Sequence, residues 1–252
     1  MKKTLKKISL SKISILHYVK LVMRSALFVA VFITYIFNKT DIITKHGIIP
    51  TIMWCFFIVE MLLRFFPSKL ESMGCQKQFK RNYEPIGENI TPINMSWKRT
   101  ALVAFVWFLL NGLIGALYFV GWIDEGILFL IAIAYSVCDI ICILFFCPFQ
   151  TWFMKNRCCT TCRIYNWDFA MMFTPLVFMP SIYNYTLLGG ALALLVRWEI
   201  TYKLHPERFS TATNKCLDCS NCQEKLCSHK KQLRGFLKKY SSRFFPPRDQ
   251  KK

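Results

Sequence analysis

The sequence predicts an all-α, polytopic integral membrane helical bundle with six transmembrane helices and a short cysteine-rich cytosolic C-terminal segment. Three observations predict it. Hydrophobic residues fill 54% of the 252 positions and charged residues only 19%, too few to cover a soluble domain of this length. The apolar residues are gathered into runs of about 20, the length a helix needs to cross the hydrocarbon core. Segments rich and poor in Lys/Arg alternate as those runs are passed, which is the pattern of the positive-inside bias. The same basic segments account for the formal net charge of +19, so anionic lipid headgroups are the expected partner and nucleic acid is not.

The elements follow in order. Residues 1–20 form a basic arm with six Lys and no acid. The first four spans are predicted at 21–37, 48–66, 100–120 and 127–149. Each is helical because lipid offers no partner for an unpaired backbone group. NKTD follows the first run without a small-residue cleavage pattern, so that run reads as an uncleaved signal-anchor.

The region 167–202 is too long for one upright helix, and MPSIYNYT interrupts it with Pro180. Charge decides the reading. The segment from Pro67 to Arg99 carries six Lys/Arg, that from Gln150 to Trp167 three, and the stretch from Arg197 onward fourteen. NKTDIITKHG has two Lys and GWIDEG none, so these fall on the opposite side. One further span would export the fourteen-charge tail, whereas two short spans, 167–183 and 185–202, return it. The organisation is therefore a basic cytosolic arm (1–20), a six-span domain (21–202) and a basic cytosolic tail with a Cys cluster (203–252). Both termini are expected on the cytosolic side of the cell (cytoplasmic) membrane.

Topology sorts the twelve cysteines. Cys55, Cys138, Cys142 and Cys147 fall in or at the end of spans, and Cys75 lies in the first cytosolic loop. Cys158, Cys159 and Cys162 lie in NRCCTTCRIYNWD, and Cys216, Cys219, Cys222 and Cys227 in KCLDCSNCQEKLC. Seven thiols thus occupy two short segments on one reducing face, where metal or redox chemistry is favoured over structural disulfides. C-x2-C pairs are the usual structural source of a tetrahedral zinc site. The tail pattern C-x2-C-x2-C-x4-C also resembles the bacterial ferredoxin run C-x2-C-x2-C-x3-C-P. It departs in its last interval, and Ser228 stands where that run has proline. The resemblance covers twelve residues and transfers no function. The expected cofactor is zinc or an iron–sulfur cluster, with zinc placed ahead. Either would fix a tail too poor in apolar residues to fold by burial, and could staple it to the 158–162 loop.

Within the spans, Asp139 sits beside Cys138 and one turn before Cys142, extending a stripe that includes Tyr135 and Ser136. A carboxylate at that depth must be protonated, paired or lining a cavity. Glu60 and Arg64, four apart, read as a helical ion pair, with Arg64–Asp139 as the alternative. Arg24, Asp168, Arg197 and Glu199 read as interfacial side chains near span ends. Asp168 also suits a helix N-cap. Gly112-x3-Ala116 and Gly189-x3-Ala193 read as helix-packing faces.

No nucleophile–base constellation, phosphate-binding glycine loop or H-E-x-x-H helix occurs, and a non-enzymatic role is expected. The leading expectation is a multi-pass membrane protein whose cytosolic face is organised by a cysteine-bound metal. The alternatives are an iron–sulfur electron-transfer protein and a small transporter for a soft metal or another solute.

Overall fold

The computed structural model describes residues 12–37, 47–67, 73–87, 90–93, 96–156, 158–218 and 220. Helices carry the fold, and the one β-type contact among the described residues is an isolated antiparallel bridge between Pro85 and Asn214. Five helices are long: α1 (Lys12–Phe37), α2 (Ile48–Phe65), α4 (Trp97–Phe119), α5 (Glu125–Leu144) and α7 (Ile182–Leu204). Two are short: α3 (Met73–Lys77) and α6 (Asp168–Phe173). Ser14–Phe37 of α1, together with α4 and α5, are long and apolar enough to cross a membrane.

Side-chain contacts fix how the rods are aligned. At one end Lys20 reaches Glu60, Arg24 reaches Asp139, and Arg64 reaches Asp168. Arg197 donates to the Phe65 carbonyl at the same end. At the other end Tyr35 donates to Asp124 at 2.8 Å, and Trp54 donates to Thr186 at 2.7 Å. The early part of α1 and the last turns of α2, α5 and α7 therefore share one end, which is rich in basic residues.

The region 167–202 departs from two equal short spans. Its first half is a tight, broken riser: a 3-10 stretch (Arg163–Trp167), α6, and a second 3-10 stretch (Thr174–Phe178). Pro175 has no N–H to give an α-helical ladder, and Thr174 Oγ1 bonds back to the Ala170 carbonyl at 2.8 Å. After Pro180 and an extended Ser181, the chain returns as the single 23-residue helix α7. The riser packs on α4 through Trp107, whose Nε1 donates to Thr174 Oγ1 at 3.1 Å.

Glycines permit the closest approaches, but not those the small-residue spacing suggested. A Cβ at Gly115 would meet the Phe178 ring at 2.3 Å, and one at Gly126 would meet Tyr35 at 2.5 Å, whereas Gly112 and Gly189 face open space. The neighbouring Gly190 lies against Met61. The packing face is offset by three residues on α4 and one on α7, because the partner's angular position about each helix is set by the bundle rather than by spacing. The exposed face of α4 presents Phe105, Phe108, Leu109 and Leu113, apolar as a lipid-facing surface must be.

The basic end is covered by a cap made from residues 73–87, 149–167 and 205–218. Asn214, fully buried, ties it together. Its Nδ2 donates to the Lys77 carbonyl at 3.1 Å and the Arg208 carbonyl at 2.9 Å, while its Oδ1 accepts from Cys216 N at 3.1 Å. Lys215 N donates to the Glu84 carbonyl at 2.8 Å. Buried Asn166 donates to buried Gln78 at 2.8 Å, joining the second cap segment to the first. Phe79 and Phe209 each pack edge-on against Trp198 of α7, fastening the cap to the bundle. The start of the tail is thus folded into this cap as far as residue 218.

Candidate functional site

The site lies just beneath the cap, where charge enters the bundle. Arg24 is only 2% exposed. Its Nη2 donates to Glu60 Oε2 at 2.5 Å, and its Nη1 to the Ser136 carbonyl at 2.7 Å and to Asp139 Oδ2 at 3.2 Å. The guanidinium lies 5.3 Å from the Phe57 ring centroid. Lys20, one turn earlier on the same face of α1, reaches Glu60 Oε1 at 3.0 Å. Arg64 grips Asp168 with both arms of its fork, Nη1–Oδ1 at 2.8 Å and Nη2–Oδ2 at 2.5 Å, and stacks 4.7 Å from the Phe169 centroid.

Three cations (Lys20, Arg24, Arg64) thereby meet three carboxylates (Glu60, Asp139, Asp168), and the layer is formally neutral. Burying one such charge alone would be prohibitive, so each residue fixes the presence of the next. Arginine suits two of the positions because its planar fork satisfies carboxylates from several helices at once. A second layer sits nearer the cap: Glu199 accepts from Arg163 Nη2 at 2.6 Å and from Trp167 Nε1 at 2.7 Å.

This arrangement corrects the reading of five residues. Glu60 and Arg64 find their partners on other elements, Glu60 with Lys20 and Arg24 and Arg64 with Asp168, because the helical spacing points both toward neighbours rich in opposite charge. Asp139 belongs to Arg24. Arg24 and Asp168 are central members of the layer rather than interfacial side chains: α1 begins at Lys12, which puts Arg24 more than three turns inside it. Asp168 opens α6, where it accepts the Arg64 fork.

Beside the charge layer is a cavity of about 400 Å³. Asp139 and Asp168 reach its wall, together with Trp107 and Tyr135, and five thiols line it: Cys138, Cys142, Cys147, Cys159 and Cys162. Sequence position scatters these cysteines over α5, the turn after it and the cap; the fold collects them. A second cavity of about 450 Å³ lies between α4, the riser and α7, shares Trp107 and Met171 with the first, and is apolar.

The cap thiols divide. Cys162 is buried in an apolar cluster with Val103, Met154 and Ile164, and that burial pushes its thiol up to about 12. Cys158 and Cys159 are half-buried, and Cys159 Sγ donates to Gln150 Oε1 at 3.0 Å. Cys216 is half-buried, its thiol raised by burial and by Glu84 beside it. Both raised thiols are protonated at neutral pH, so any metal they took would have to displace a proton. Among the described residues no three of His, Cys, Asp and Glu stand close enough to hold one ion. Cys219, Cys222 and Cys227 lie outside the described residues. Short α3, which carries fully buried Cys75, packs against both the 159–161 turn and the 215–217 turn, so both turns neighbour the same short helix.

Comparison with known proteins adds no name to this geometry: no protein-family model, no curated protein and no solved structure matches the chain.

Proposed function

We propose that the chain is a multi-pass protein of the cytoplasmic membrane, non-enzymatic, whose basic cytosolic face is held in shape by a metal bound to cysteine. The tail thiols Cys216, Cys219, Cys222 and Cys227 are the ligands of first choice, with Cys158 and Cys159 of the neighbouring loop within reach of a shared site. Zinc is preferred to an iron–sulfur cluster because C-x2-C pairs supply a closed tetrahedral site without a redox partner. In this reading the six crossings run α1, α2, α4, α5, the broken riser and α7, with both termini, the three thiols of the 158–162 loop and the four tail thiols inside.

The observation that supports the proposal is that α3 packs against both the 159–161 turn and the 215–217 turn, so Cys216 and the loop thiols share one short helix as neighbour. A metal there would extend the fastening that Asn214 begins, adding binding free energy to a segment with little apolar surface. The fully paired charge layer beneath supports a static scaffold: every carboxylate in it is already committed to a cation.

Elemental analysis of anaerobically purified protein tests this, wild type against Cys219→Ser. The expected result is colourless wild-type protein with about one zinc per chain, and none in Cys219→Ser. Brown protein with iron and sulfide would replace the scaffold by the electron-transfer reading. Metal in neither protein would overturn both.

A further inference from the structure

The cavity beneath the cap holds a feature that the tail motif does not use. α5 ends at Leu144, and Phe145 and Phe146 both close back on the Ile141 carbonyl, at 2.8 and 3.2 Å. Pro148 disfavours continued helix at Cys147, so the chain turns there and brings Cys147 under Cys142. Both thiols line the same cavity. Gln150 N also donates to Cys147 Sγ at 3.4 Å, so a backbone dipole is already aimed at that sulfur.

Three further observations define what such a pair would take. The cavity carboxylates, Asp139 and Asp168, are engaged by Arg24 and Arg64, which removes the hard oxygen donors that a magnesium or calcium ion requires. Among the described residues no third Cys, His, Asp or Glu joins the pair to make a tetrahedral set, which removes the ordinary zinc geometry. The wall also holds soft sulfur, the thiols of Cys138, Cys159 and Cys162 and the thioethers of Met171 and Met172, while its Gln150 amide oxygen is taken by Cys159. Two thiols among further sulfur, with the carboxylates engaged elsewhere, match one chemical class, a monovalent d10 ion bound linearly between two sulfurs.

We propose that Cys142 and Cys147 form a two-coordinate site for a soft monovalent cation, copper(I) or its analogue silver(I), distinct from the tail motif. Binding replaces the two S–H bonds by two metal–sulfur bonds and releases two protons to solvent, with no change in oxidation state. The bis-thiolate complex carries one negative charge, and the Gln150 backbone N–H directed at Cys147 Sγ offsets part of it. Cys142 and Cys147 are both half-buried, so an ion can reach them from the cavity mouth.

The test is anaerobic titration of the full-length protein, preloaded with zinc so that the tail motif is occupied, using copper(I) buffered by a chromophoric copper(I) chelator. Wild type is expected to take up one copper(I) that zinc does not displace, and sulfur-edge or copper-edge absorption should report two sulfur neighbours. Cys142→Ala and Cys147→Ala, each close in volume to the native residue, should each weaken that uptake at least about tenfold, as metal sites do even when only an outer partner is lost. Cys219→Ser should leave it intact while losing zinc, so the fate of this site and that of the tail site are read separately. The assignment is overturned if both alanine variants, shown folded by unchanged helical circular dichroism, bind copper(I) as wild type does. It is equally overturned if Cys138→Ala abolishes uptake while Cys147→Ala does not.

Discussion

At the scale of single residues, the account rests on buried charges that exist only as pairs. Arg64 and Asp168 are the cleanest case, with side chains 5% and 7% exposed and a two-point contact. Removing one partner leaves the other stranded, so Asp168→Asn or Arg64→Met should each destabilise the protein by about 3–5 kcal/mol. Replacing both, Arg64→Met with Asp168→Leu, should cost clearly less than the sum, since no bare charge remains. Thermal unfolding in one detergent, read as a double-mutant cycle, checks this; additive losses would show that the pair is not coupled. Part of this layer was legible in the sequence. Asp139 and Glu60 stand out in any apolar run, because an acid there needs a partner. Which cation partners which acid was not legible, since that depends on how four elements rotate against one another. Arg24 was misread because a basic residue near the start of an apolar run resembles an interfacial one. The helix turned out to begin nine residues before that run, at Lys12.

At the scale of elements, long apolar runs announce helices reliably, and α1, α2, α4 and α5 lie where runs were marked, though α5 stops five residues short of 149. The 167–202 region was harder because Pro175 and Pro180 break regular periodicity, and the sequence does not say whether a broken stretch folds as two spans or as a riser and a long helix. Small-residue spacing located the helices that approach closely but not the contact atoms. This gives a sharp contrast within α4. Gly115→Leu drives its side chain into the Phe178 ring and should destabilise by about 1–3 kcal/mol, the usual range for overpacking. Gly112→Leu faces open space and should be neutral or stabilising by up to about 1 kcal/mol through helix propensity. Unfolding midpoints of the two variants decide it, and equal losses would contradict the packing of the riser on α4.

At the scale of the whole molecule, composition and charge pattern were enough to predict a helical membrane bundle, because both follow from the solvent that surrounds the chain rather than from any particular contact. The cap was not foreseen. Nothing in the spacing of Gln78, Asn166 and Asn214 marks them as partners; each is an ordinary polar loop residue until the fold buries it. The thiol-lined cavity is likewise a product of assembly, since Cys142 and Cys147 on one segment meet Cys159 and Cys162 from another only when the cap closes. Every functional statement made for this protein depends on the basic end, with its cap and thiols, facing the cytosol. Sidedness of a single engineered cysteine measures that directly, with each variant read against the unsubstituted chain, whose twelve native thiols set the background. With Ser242→Cys in the tail, a membrane-impermeant maleimide should label only after permeabilisation, while Thr40→Cys between α1 and α2 should label in intact cells; labelling of Ser242→Cys in intact cells would contradict the account.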